Sequence, residues 1–286
     1  MYRIVDEDFV RRSIKPRRAD SHKGENGAVL VIGGSWMYHG APFLAAMAAM
    51  RCGVDLVYIA VPEKIAASIR ALSPAVIVIP LTDMKLTRGA ARRALKVLPR
   101  VDSIVMGPGL EAGSEPGMEL VAREAVAAGK GLVLDAGALY PGILKHVGGS
   151  KVVLTPHAGE FKRVFGVEAP SYLQDRVKVV REQAEKNGVT ILLKGRIDVI
   201  SDGVDVAVNE TGTPAMTTGG TGDVLSGIVA AFLAWGVDPF RAAASAAWIN
   251  GKAGELAAEK LGLHMIATDL LDMIPQVMKP FDRVEG

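Results

Sequence analysis

The chain has 286 residues, 49% of them hydrophobic and 32 of them glycine, with 33 Lys and Arg against 31 Asp and Glu. Such a composition excludes a disordered chain, which needs low hydrophobicity and high net charge, and the glycines lack the three-residue period of collagen. A net charge of +2 gives no electrostatic case for nucleic acid as a partner.

The N-terminus, MYRIVDEDFVRRSIKPRR, has no apolar core and does not read as a signal peptide. Downstream, β-branched runs predict strands over 28–32, 56–61, 75–79, 103–106, 132–134, 152–154 and 191–193. Each is nearly uninterrupted in its apolar character, as strands covered on both faces should be. Between them, Ala-rich or amphipathic stretches predict helices over 41–52, 87–98, 116–128 and 172–187. After Leu193 the pattern changes. Runs over 199–201 and 204–208 flank Asp202-Gly203, a hairpin signal. A polar loop over 209–222 follows, then a helix over 223–235. Asp238-Pro239 is a cap and first-turn proline for another helix running towards Gly262. Thr268 is placed to cap a last short helix. The stretch 224–237 contains Gly and Ser and is shorter than the ~20 apolar residues a bilayer crossing needs, so no membrane is expected. Cys52 is the single cysteine, which forbids an internal disulfide and fits the reducing cytoplasm. No linker interrupts the alternation. The expected architecture is one α/β domain over 1–286, a mostly parallel sheet with helices on both faces and an antiparallel hairpin late in the chain.

The strand ends carry the chemistry. Ile32 is followed by GGS, Met106 by GPG, Leu134 by DAG, Leu154 by TPHAGE and Leu193 by KG. Ligands of open α/β sheets bind outside the carboxyl ends of the strands, so these segments predict one large site. The densest signal is TTGGTGD, Thr217 to Asp223, directly before an apolar helix. Small residues there let the amides of Gly220, Thr221 and Gly222 converge on a phosphate, helped by the helix dipole. A carboxylate beside a bound phosphate repels it, so Asp223 fits better as the general base for a substrate hydroxyl. GPGLEA formally matches a dinucleotide fingerprint, with Asp135 as its acid. However, the helix cap falls near Ser114, outside the motif, and Asp135 lies further on than the ~20 residues expected. A glycine loop bringing backbone close to a ligand suits it better. In TPHAGE, His157 and Glu160 stand three apart, able to face one side of a helical turn and contact substrate, with Mg²⁺ held through Glu160 and water. Lys194 can bring a cation near phosphates. The 33–42 segment is a lid or a long strand–helix connection. No P-loop motif occurs.

Taken together, these segments resemble a known family. HKGENGAVLVIGGS (22–35), YHGAP followed by the Ala-rich helix to Arg51, MGPGL, LDAGAL, LTPHAGE, LLKG and GGTGDVLSGI occur in one order over nearly the whole chain. The combination is similar to the ADP- or ATP-dependent NAD(P)H-hydrate dehydratases, which are ribokinase-like. The resemblance implies repair of NADH or NADPH whose nicotinamide ring carries the (6S)-hydrate. The nucleotide phosphorylates the ring hydroxyl and phosphate then leaves, ADP becoming AMP. It implies that Ala41, Gly109, His157 and Asp223 touch the hydrate. It assigns the nucleotide to Lys194, Gly195, Arg196, Ile197 and Asp198, and to Thr213, Pro214, Ala215, Met216, Thr217, Thr218, Gly219, Gly220, Thr221 and Gly222. ADP is the expected donor and ATP the alternative, with Mg²⁺ as cofactor and a homotetramer as the assembly. The sequence departs from the family pattern at Ala158, where Pro is usual, at Asp198, where Thr is usual, and at Asn250, where His is usual. No epimerase domain is expected at the N-terminus. Two other readings stand beside this one: a ribokinase-like vitamin kinase acting on a thiazole or pyrimidine alcohol, and an NAD-binding oxidoreductase.

Overall fold

A computed structural model of the chain describes residues 2–149 and 151–286. In chain order the elements are β1 (Arg3–Ile4), α1 (Glu7–Arg11), β2 (Arg17–Arg18), β3 (Ala28–Ile32), α2 (Ala41–Cys52), β4 (Leu56–Pro62), α3 (Glu63–Leu72), β5 (Ile77–Leu81) and α4 (Arg88–Ala94). Then come β6 (Ser103–Met106), α5 (Glu115–Ala127), β7 (Gly131–Leu134), β8 (Val152–Leu154), α6 (Ala158–Phe165), α7 (Leu173–Asn187), β9 (Thr190–Leu193), β10 (Asp198–Ser201) and β11 (Val206–Asn209). The chain ends with α8 (Thr221–Ala234), α9 (Pro239–Leu261), α10 (Ala267–Met278) and β12 (Val284–Glu285).

The main sheet has ten strands in the order β1-β11-β10-β9-β8-β7-β6-β3-β4-β5. From β9 to β5 every neighbouring pair is parallel. β10 runs antiparallel to both β9 and β11, as the late hairpin predicts. β2 and β12 form a separate parallel pair. Side chains alternate across the pleat. In β3, Val29 and Val31 enter the core under α2, α8 and α9, while Ala28, Leu30 and Ile32 enter the core under α4 and α5. That two-sided burial is why the strands are apolar throughout. Strand order reverses beside β3, so the loops after β3 and β6 diverge around a crevice at the carboxyl edge.

Several element boundaries differ from the sequence reading. The strand expected over 75–79 lies at Ile77–Leu81 and includes Pro80. It is the edge strand, where a missing N–H costs no ladder bond. The helix expected over 87–98 is α-helical only to Ala94 and continues as a 3₁₀ turn, Leu95–Arg100. Pro99 lacks an amide hydrogen and its ring crowds the Leu95 carbonyl, so the wider helix cannot continue. The hairpin loop is longer than Asp202-Gly203, because Asp202 Oδ1 accepts the amides of both Val204 and Asp205, and Val204 is exposed. The last helix is not capped by Thr268. It starts at Ala267, and Asp269 accepts the Ile266 amide at 2.7 Å. Glu63–Leu72 forms α3, a helix that the strand and helix patterns above do not predict.

Candidate active site

The helix expected over 223–235 begins at Thr221, which makes Gly220 its N-cap. Gly220 has φ +100°, and a Cβ there would stand 2.7 Å from Leu44 and 2.8 Å from Ala267. Glycine is therefore required by both backbone and space. No side chain caps this helix. Thr221 instead donates its hydroxyl back to the Met216 carbonyl at 2.9 Å, and Thr213 caps the short 3₁₀ turn Pro214–Thr217. The first turn of α8 thus has no side-chain acceptor for its amides and the dipole behind it, which is the arrangement an anion needs. The same backbone holds Gly219, Thr217 and Thr218 on the approach to the helix. Within this segment Ala215 is buried, while Met216 is half-buried and lies under Gly254.

Beside that helix start lies a charged cluster. Lys194, at the end of β9, places its Nζ 3.0 Å from Asp135 Oδ1 and 3.8 Å from Glu160 Oε2. A Cβ on Gly222 would be 3.1 Å from the same Nζ. Burial works to lower the Lys194 pKa, but Asp135 and Glu160 outweigh it and keep the ammonium charged. Asp223 is pushed up to about 7, first by burial and then by Asp135 and Glu160, with Lys194 opposing. A carboxylate poised near neutrality can take a proton from a hydroxyl at physiological pH.

His157 and Glu160 build the start of α6 as a reciprocal capping box. His157 Nδ1 accepts the Gly159 and Glu160 amides, and Glu160 Oε2 accepts the His157 amide at 2.9 Å. With Nδ1 as acceptor, the ring carries its hydrogen on Nε2, which lies 3.5 Å from Glu160 Oε1. Glu160 is buried. The two do share one turn, but their spacing is set by helix capping.

The Lys194–Asp198 loop folds on itself. Asp198 accepts the Gly195 amide at 2.9 Å and the Asn209 side-chain amide at 3.0 Å. Burial raises its pKa to about 6, against those hydrogen bonds. The aspartate therefore staples the loop. Arg196 is exposed and donates to the Glu210 carbonyl, while Ile197 packs partly on the core. Asn250 donates to the Thr221 carbonyl at 3.4 Å from α9.

The GPG loop is packed against protein. A Cβ on Gly107 would stand 1.7 Å from the Asp135 carbonyl oxygen, and one on Gly109 would stand 2.4 Å from that of Tyr38. Gly107 therefore clears room for the neighbouring DAG loop, and not for a dinucleotide. Gly109 seats the 33–42 loop, whose Trp36, Met37 and Tyr38 are exposed, next to Ala41 at the start of α2. The residue that sequence reasoning undervalued is Asp135. It is 2% exposed and partners Lys194 across two strands. Its signal was an aspartate ending the wholly apolar strand β7.

Fold and site together define a ribokinase-like α/β protein with an uncapped helix start beside a near-neutral carboxyl group. The model of the family described as NAD(P)H-hydrate dehydratase matches residues 29–276, and the chain belongs to that family. A relative from Cenarchaeum symbiosum, an ADP-dependent (S)-NAD(P)H-hydrate dehydratase, is 51% identical over 284 residues, covering 99% of both chains. A bifunctional NAD(P)H-hydrate repair enzyme from Pyrobaculum aerophilum is 52% identical over 269 residues, which are 93% of this chain and 53% of that protein. The crystal structure of an ADP/ATP-dependent NAD(P)H-hydrate dehydratase from Bacillus subtilis, co-crystallised with ATP/Mg²⁺, superposes with a TM-score of 0.82. It is 30% identical, over 98% of this chain and 99% of that one.

Proposed function

We propose that the protein restores hydrated NADH or NADPH by nucleotide-driven dehydration, with ADP converted to AMP. The observation that carries this reading is Asp223, near neutral pKa, in the first turn of an uncapped helix N-terminus. Hydroxide is a poor leaving group and phosphate a better one. Asp223 takes the proton of the ring hydroxyl as that oxygen bonds to the terminal phosphorus of the nucleotide, and the bridging oxygen leaves with AMP. The amides of Gly220, Thr221 and Gly222 and the Lys194 ammonium meet the phosphoryl charge. The ring C–O bond then breaks, phosphate departs, and loss of a proton from the neighbouring carbon re-forms the C=C bond.

The hydrate is assigned to Ala41, Gly109, His157 and Asp223. The nucleotide is assigned to the Lys194–Asp198 loop and to Thr213 through Gly222. Because both Asp198 oxygens are committed to the loop, that position contacts nucleotide through backbone. The buried Glu160 carboxylate fits Mg²⁺, which keeps most of its waters and takes one or two carboxylates plus phosphate oxygens. Among the described residues no group of three or more His, Cys, Asp or Glu side chains is placed to hold a metal, so Glu160 would act through water. When bound, the cation supplies charge neutralisation on the phosphates. The assembly is proposed to be a homotetramer in the cytoplasm. The exposed Trp36, Met37, Leu263 and Ile266 offer apolar surface for association. Among the described residues no helix is long and apolar enough to cross a membrane.

The test is incubation with hydrated NADH, Mg²⁺ and either ADP or ATP. Absorbance at the NADH band should return, faster with ADP. No recovery with either nucleotide overturns the reading. A stable phosphorylated alcohol with no elimination indicates a vitamin kinase instead.

A further inference from the structure

We propose that Asp135 is a positioning residue that holds the Lys194 ammonium at the start of α8, and that Ala136, Gly107 and Gly137 form the device that aims it. This rests on reading that helix start as the phosphate site.

An ammonium beside a helix N-terminus has the wrong sign for stability, because the helix end is itself positive. Lys194 nevertheless lies there, its Nζ 3.1 Å from where a Gly222 Cβ would be. Something must hold it. Asp135 Oδ1 does so at 3.0 Å from a carboxylate that is 2% exposed. Glu160 contributes less, since the oxygen nearer Lys194 stands 3.8 Å away and already accepts the His157 amide.

The backbone around Asp135 is built for this aim. Ala136 has φ +47°, and among the described residues it is the one non-glycine with positive φ. Such strain persists only where surrounding structure enforces it. The enforcement is visible on both sides of Ala136. A Cβ on Gly107 would stand 1.7 Å from the Asp135 carbonyl, and one on Gly137 would stand 2.2 Å from the Leu110 carbonyl. The Gly137 amide also donates to the Gly107 carbonyl at 3.3 Å. Two glycine loops from neighbouring strands are interlocked, and Asp135 projects from the lock. An ordinary stabilising ion pair needs neither the strain nor the interlock.

The experiment measures ADP affinity by calorimetry for the wild type, Asp135→Asn, Lys194→Met and the double variant, with thermal melts alongside. Loss of a charge-assisted hydrogen bond should weaken ADP about tenfold in Asp135→Asn. The double variant should bind about as Lys194→Met does, because Asp135 acts through the lysine. The sign is diagnostic. Removing a negative charge near phosphate would by field alone tighten ADP, and a purely structural pair would move only the melting temperature. Tighter or unchanged binding overturns the proposal, and so do additive losses in the double variant. If Asp135→Asn does not fold, Asp135→Glu carries the test. It keeps the charge but displaces it, and should also weaken ADP non-additively with Lys194→Met. Binding of ADP without hydrate turnover in the wild type would sink the functional reading while leaving this coupling measurable.

Discussion

Asp223 is where the chemistry and the cost of the site meet. Asp223→Asn should abolish turnover while ADP affinity stays within about threefold, because a base acts in the transition state and not in ground-state binding. Equal loss of both, measured by hydrate assay and calorimetry, would make the aspartate structural. A base with pKa about 7 must be deprotonated, so the turnover rate of the wild type should rise with pH through about 7 and then level. The stability effect has the opposite sign. A carboxyl group whose folded pKa is raised stabilises the fold below its unfolded pKa, and that contribution is lost as pH rises through about 7. The same Asn variant should therefore melt higher than wild type at pH 8, by on the order of 1–2 kcal/mol after allowing for partial exposure. Asp198 belongs to this scale too. Its two hydrogen bonds turn a departure from the family pattern into a loop staple.

At the scale of elements, α8 links core and site. Its N-terminus is the proposed anion hole, and its body packs against α2 so closely that a Cβ on Gly227 would meet the Ala45 carbonyl at 2.0 Å. Helix carbonyls do not yield as side chains do. Gly227→Ala should therefore cost about 1–3 kcal/mol, a few degrees in a thermal melt, with the loss of helix register weakening ADP as well. A variant as stable as wild type would show that the two helices slide freely. The GPG and DAG loops teach the same lesson. Their glycines serve backbone-to-backbone contact, which a motif search reads as ligand approach.

Across the whole molecule, the site collects segments from the ends of β3, β6, β7, β8 and β9 and the starts of α2, α6 and α8. Binding at so many elements should couple to global stability. At a hundredfold excess over its dissociation constant, ADP should stabilise the fold by about 2.7 kcal/mol, or about 4–5 °C for a chain of this length. A melt unmoved by ADP would argue that the nucleotide does not select the folded state. Light scattering checks the assembly, for which a homotetramer is the expected result.

The sequence by itself determined the central strands, the alternation of layers and the glycine-rich turn into α8. Apolar runs such as 28–32 report two-sided burial, TTGGTGD reports a small-residue turn into a helix, and Asp238-Pro239 reports a helix start. All of these are local, set by periodicity, capping and φ preferences within a few residues. Only the tertiary structure decided which charges meet. Lys194 and Asp135 lie 59 residues apart and come together because β7, β8 and β9 are neighbours in the sheet. Strand order is a property of global packing, so no local pattern carries it. The meaning of Gly107 changed for the same reason. Its neighbour across the ladder is the Asp135 carbonyl, and nothing within reach of Gly107 along the chain announces that contact.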